Sequence, residues 1–108
     1  MSTQRFFVYL LVSLDADFHY VGFCEDLEFR VDAHNRGQTR STAPYRPFRV
    51  MILRTVSTRD QARRSERYFK SGAGRAQIGR LLRIEMERGV NVVDAEREGL
   101  IRNPFTVE

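Results

Sequence analysis

The stretch that most constrains this chain is Phe6-Phe7-Val8-Tyr9-Leu10-Leu11-Val12, seven apolar or aromatic residues in a row without a polar break. A strand exposed on one side alternates polar with apolar positions, because successive side chains point to opposite faces. A run that does not alternate predicts a central strand covered on both faces. It is too short to cross a membrane and lacks the small-residue cleavage site of a secretory signal, so no targeting segment is read. The polar residues Ser13 to Asp17 supply a turn, and Phe18 to Phe23 returns as a second strand, most simply a hairpin partner that ends at Gly22.

Helical signals follow. Asp26 can cap a helix that runs through Leu27, Arg30, Val31 and His34 and stops near Asn35 to Gly37, where a residue tolerating positive φ is useful. Residues 38–46 read as a polar loop whose end is framed by Pro44 and Pro47. A third strand follows from Phe48 to Val56, with Phe48, Val50 and Ile52 on one face and Met51 and Leu53 on the other. Thr58 followed by Gln61 is a capping box for a helix through Glu66 and Phe69 to Gly72. After Gly74, the spacing of Ile78, Leu81, Leu82 and Met86 predicts a last amphipathic helix ending at Gly89. A length of 108 residues fits one core. The expected architecture is α/β in the α+β sense: a small three-stranded antiparallel sheet flanked by helices over residues 1–88. The tail, 89–108, has no assigned role.

Charge is distributed unevenly. Between Arg36 and Arg83 lie 13 of the 18 basic residues and only two of the 14 acids, Asp60 and Glu66, a net +11 against −7 for the rest of the chain. A bias toward arginine explains why 17 of the 18 cations are Arg. It does not explain why acids avoid the same segment, and one-sided positive charge suits a polyanion such as nucleic acid. Cys24 is the only cysteine, which excludes an intramolecular disulfide and a cysteine-based metal cluster and fits a reducing, cytoplasmic setting.

Several polar residues fall where the pattern is otherwise apolar. Tyr9 shares a strand face with Phe7 and Leu11, and Tyr20 shares one with Phe18 and Gly22, so a hairpin can bring the two phenols together. Each taken alone is as readily a core tyrosine with its hydroxyl at the rim. Arg30 and His34 stand one helical turn apart on the side of Leu27; a snorkelling arginine and a satisfied core histidine account for them equally well. Glu66 shares a face with Ala62 and Phe69, and is either a partner for arginine or a ligand for a hard cation.

Taken in order, Val8-Tyr9, Tyr20-Val21-Gly22, Arg30, His34-Asn35 with Gly37, Arg46-Pro47, and Glu66 with Lys70-Ser71-Gly72 resemble the GIY-YIG nuclease superfamily, and more narrowly its small stand-alone bacterial members. The resemblance covers roughly residues 6–83. Phe7 replaces the first motif's glycine, Phe23 stands where some excision-repair relatives carry lysine, and Ile78 stands near a position that is polar in others. The resemblance implies a metal-dependent DNA endonuclease, with repair or recombination as its setting and Mg²⁺ or Mn²⁺ held by Glu66. Tyr9 and Tyr20 match the two motif tyrosines, Gly22 the second motif's glycine, Arg30 the helix arginine, and His34 a histidine common in the small members. In this frame Tyr9 activates water, its pKa lowered by neighbouring Arg and metal charge. Tyr20 orients the water or shares the role, and His34 hydrogen-bonds a tyrosine or accepts its proton. Arg40, Arg46, Arg63, Arg67, Lys70 and Arg75 are the expected DNA contacts, with branched, nicked or duplex DNA as partner. The runner-up is a DNA-binding module of this fold that lacks useful activity; a protein-interaction domain would require neither the acid-poor segment nor the ordered Tyr, Arg and Glu set.

Overall fold

A computed structural model describes residues 4–88, 92–97 and 99–100. Three strands, β1 (Phe6–Ser13), β2 (His19–Cys24) and β3 (Phe48–Val56), form the expected antiparallel sheet with β1 in the middle. A short fourth strand, β4 (Val92–Asp94), lies parallel to β3 and extends the sheet to the order β2-β1-β3-β4. This strand comes from the tail to which the sequence assigned no role. Beyond it Ala95 is fully buried, and its N–H donates to the Ile52 carbonyl at 2.7 Å.

Both faces of β1 are covered. Phe6, Val8 and Leu10 join Met51, Leu53, Ala62, Phe69, Ile78 and Leu81 in one core, under helices α2 (Arg59–Phe69) and α3 (Gly72–Arg88). Tyr9 and Leu11 join Cys24 and Phe48 in a second, with Leu27 and Val31 of α1 (Leu27–Asn35) packed against it. The unbroken apolar run is therefore the signature of a middle layer. A register shift at Val8 and Tyr9 pairs them with Arg54 and Ile52 and leaves Leu53 bulged. The alternation read from the sequence holds through Leu53, with Phe48 and Val50 in one core and Met51 and Leu53 in the other, and the bulge then turns Arg54 toward α2. There Arg54 Nη1 donates to Ser65 Oγ at 2.9 Å, and Nε lies 3.6 Å from the Glu96 carboxylate.

Local signals set most helix ends. Asp26 accepts from the Phe29 N–H at 3.0 Å, the Thr58–Gln61 capping box is formed on both sides, and Gly37 takes φ +79°. Some boundaries differ from the expectation. β2 does not end at Gly22 but continues to Cys24. α2 stops at Phe69 rather than Gly72, and α3 starts at Gly72 instead of after Gly74. Gly74 is the second glycine of the α3 N-terminus and packs so closely that a Cβ there would collide with the Tyr68 carbonyl and Phe69 Cα. Gly89, the expected helix end, lies outside the described residues, as does the side chain of Met86. Among the described residues no helix is long and apolar enough to cross a membrane.

Candidate active site

Tyr9 and Tyr20 are brought together by the β1–β2 hairpin. Tyr9 pairs directly with Gly22, and in register Gly22 lies two residues from Tyr20 on the same face. A Cβ at position 22 would lie 2.7 Å from the Tyr9 hydroxyl oxygen and 2.9 Å from Tyr20 Cε1. The glycine thus serves neither a turn nor a strand end: it is the floor on which the Tyr9 phenol lies. The ring centroids of the two tyrosines are 6.4 Å apart.

His34 arrives from α1 on the same side of the sheet. Its ring centroid is 6.0 Å from that of Tyr9 and 5.3 Å from that of Tyr20. Tyr9 Oη and His34 Nε2 are 3.1 Å apart, and His34 Nδ1 is 2.8 Å from Thr42 Oγ1. The Thr42 hydroxyl in turn donates to the Thr39 carbonyl at 3.3 Å, so it is free to accept from the imidazole. This directs the chain of bonds: Nδ1–H donates to Thr42, and Nε2 is left as the acceptor for the Tyr9 O–H. Tyr9, His34 and Thr42 are all buried, at 2%, 1% and 0% exposure. Thr42 escaped the sequence reading. It sits in the segment read as a polar loop, at the entrance to a 3₁₀ turn (Ala43–Tyr45), and no periodic pattern marks it as buried.

Electrostatics follow from this burial. The His34 pKa is lowered by desolvation first and by the Arg30 guanidinium second, so the ring is neutral at pH 7. In the protein alone, with Arg30 as the neighbouring cation, the Tyr9 pKa moves up. Desolvation is the largest cause, Tyr20, Cys24 and Glu66 add to it, and Arg30 opposes it without winning. Tyr9 therefore stands as a phenol in the protein by itself. The Cys24 thiol, pushed up to about 11 by burial, stays protonated beside it.

The charged residues ring this buried chain. Arg30 was expected near the core on the side of Leu27, but its side chain is exposed. Its charge nevertheless reaches Tyr9, Cys24 and His34. Glu66, on α2, is half-buried, and Lys70 Nζ lies 3.4 Å from Glu66 Oε2 and 5.7 Å from the centroid of Tyr20. The spacing of Arg63, Glu66, Arg67 and Lys70 sets three cations on the helix face that carries Glu66. Arg40, Arg46, Arg63, Arg67, Lys70 and Arg75 are all exposed, although Arg46 Nη1 donates to the Ala43 carbonyl at 2.7 Å.

Among the described residues no three His, Cys, Asp or Glu side chains converge as a metal cluster. A single carboxylate still fits a hard cation that keeps most of its coordination for water and phosphate oxygens, as Mg²⁺ does. Glu66 is such a donor.

An antiparallel hairpin carrying two phenols, a helix carrying Arg and His, and a second helix carrying the Glu66 carboxylate define an α+β domain of nuclease type. The model of the GIY-YIG catalytic domain matches residues 5–77, and the chain belongs to the GIY-YIG family. It is similar to small curated relatives. A UPF0213 protein of Lacticaseibacillus paracasei is 32% identical over 71 residues, which is 65% of this chain and 79% of the relative. The UPF0213 protein YazA of Bacillus subtilis is 34% identical over 71 residues, 65% of this chain and 71% of the relative. No solved structure matches the chain significantly.

Proposed function

We propose that this protein is a divalent-metal-dependent DNA endonuclease in which Tyr9 relays a proton from the attacking water to His34. The observation that carries the reading is the buried chain Tyr9 Oη, His34 Nε2, His34 Nδ1, Thr42 Oγ1, with bonds of 3.1 and 2.8 Å. A buried histidine held in one tautomer, with its lone pair on a hydroxyl, is the arrangement a general base requires. In the proposed step the water oxygen bonds to phosphorus and gives its proton to Tyr9 Oη. Tyr9 gives its own proton to His34 Nε2, and the bond from phosphorus to the departing oxygen breaks, that oxygen keeping the electron pair and taking a proton from solvent. No free phenolate is needed, which accommodates the raised pKa of Tyr9. Arg30 meets the charge that builds on the phosphate oxygens, and Tyr20 orients the water. Mg²⁺ or Mn²⁺ held by Glu66 would supply further positive charge against the phosphate. Exposed cations at Arg40, Arg46, Arg63, Arg67, Lys70 and Arg75 are assigned to backbone phosphates. We assign the nuclease domain to residues 1–88 and place the protein in the cytoplasm, with a role in repair or recombination.

The second reading is a DNA-binding module without useful activity. It is favoured by two features, the phenol of Tyr9 held protonated and the Glu66 carboxylate already paired with Lys70. Incubation with nicked, branched, single-stranded and duplex DNA, with and without Mg²⁺ or Mn²⁺, separates the two. Metal-stimulated strand cleavage that disappears in Glu66→Ala is the expected result; binding without cleavage on every DNA form gives the module reading.

A further inference from the structure

A cavity of about 260 Å³ opens beside Arg30, where the end of β2 meets α1 and α2. Its walls include Phe23 at the end of β2, Phe29 and Arg30 on α1, and Arg59 at the first turn of α2. Phe29 leaves 67% of its surface in water, an unusual exposure for a phenyl ring one residue from a charged site residue. The Arg59 guanidinium lies 5.9 Å from the centroid of Phe23 and 5.4 Å from that of Phe6, so a planar cation already rests against the aromatic wall. Two aromatic rings and two guanidinium planes offer flat surfaces on which a heteroaromatic ring stacks. The volume falls below the usual range for drug-sized ligands, which suits one base and excludes a base pair. Glu25 and Asp26 also line the cavity. Their charge disfavours a phosphate inside it, whereas a carboxylate on the rim accepts from the amino and imino N–H groups of a base edge.

We propose that this cavity is a subsite for one unstacked nucleobase of the DNA strand whose phosphate meets Arg30. The inference rests on the nuclease reading and adds the substrate class to it. Arg30 belongs to both places: it lines the cavity, and its charge is felt by Tyr9 and His34. A base can enter only when it is unpaired, so single strands, flaps, gaps and frayed ends are bound in preference to continuous duplex. Extruding a base from intact duplex carries an unstacking cost that such forms avoid.

The test uses the full chain without divalent metal, so that no cleavage intervenes, and a short single-stranded oligonucleotide carrying one 2-aminopurine, compared with the same strand in duplex. The expected result is tighter binding of the single strand and quenching of the 2-aminopurine signal as the base stacks. Phe29→Ala should weaken single-strand binding by about tenfold, the loss expected for one base on one aromatic ring, and leave duplex binding within twofold. Phe29→Trp should restore it. Arg59→Gln, a second wall of the cavity, should give a smaller loss that again falls on the single strand and spares the duplex. Phe29→Ala binding both forms like the wild type, or losing both equally, overturns the subsite while leaving the DNA reading intact. Failure of the wild-type chain to bind either form overturns both.

Discussion

The hydrogen bond from His34 to Thr42 is the part of the site whose removal is most informative. Thr42→Val keeps the shape of the side chain and deletes the hydroxyl that accepts from His34 Nδ1 at 2.8 Å. Both residues are buried, at 1% and 0% exposure, so no water replaces the lost partner. An unsatisfied buried N–H costs about 1–3 kcal/mol. For a domain of this size each kcal/mol moves Tm by roughly 4–8 °C, so a fall of about 4–24 °C is expected. The chemical consequence is separate from the stability loss. With nothing to accept from Nδ1, the imidazole relieves the strain by moving its proton to Nε2, where it donates to the Tyr9 oxygen and can no longer take the Tyr9 proton. Cleavage should therefore fall by tenfold or more at a temperature where the variant is still folded, within the about 10² to 10⁴ that general-base assistance supplies. Nitrogen-15 NMR of the imidazole reads the tautomer directly, and Thr42→Ser, which keeps the hydroxyl, should recover both the tautomer and the rate. A Thr42→Val protein whose proton remains on Nδ1, or which cleaves at the wild-type rate, would refute the relay.

Other predictions concern different parts of the site. Glu66→Ala should abolish metal-stimulated cleavage and leave DNA binding intact or tighter, as measured by anisotropy, because it removes the carboxylate and adds net positive charge. Tyr9→Phe removes one oxygen while keeping the ring over Gly22; cleavage should drop by about 10² to 10⁴ with DNA affinity unchanged, and an unaltered rate would make Tyr9 a core residue only. The lowered pKa of His34 gives a definite sign to the pH dependence: the unfolded chain takes up a proton near 6.5 before the folded chain does, so the stability is fully present above about pH 6.5 and is lost as pH falls through the depressed value. Melting curves from pH 8 down to 5 should show this loss, and His34→Gln should flatten that part of the curve. DNA affinity should fall steeply with salt, with a log-log slope of about −0.9 per duplex phosphate neutralised.

The local chemistry of the chain was legible without a fold. Residues 6–12 announced a strand covered on both faces because a middle layer leaves no solvent side for polar residues. Asp26, Gly37 and the Thr58–Gln61 pair announced helix ends because capping depends on neighbours in sequence. The family order of Tyr9, Tyr20, Arg30, His34 and Glu66 was likewise a matter of sequence, and it pointed to the family to which the chain belongs. What the sequence could not supply is whatever depends on distance through space. The role of Gly22 emerges only when β1 lies beside β2 and the Tyr9 ring occupies the place of a Cβ. Thr42 becomes visible only when a loop folds over His34 and leaves both without water. The Tyr9 pKa is raised in the protein alone because desolvation grows with burial, and burial is a property of the packed molecule rather than of any run of residues. The tail strand β4 was hidden for a related reason: three residues carry too little pattern to mark a strand, and its partner β3 lies some forty positions earlier, so only the assembled sheet edge reveals the pairing.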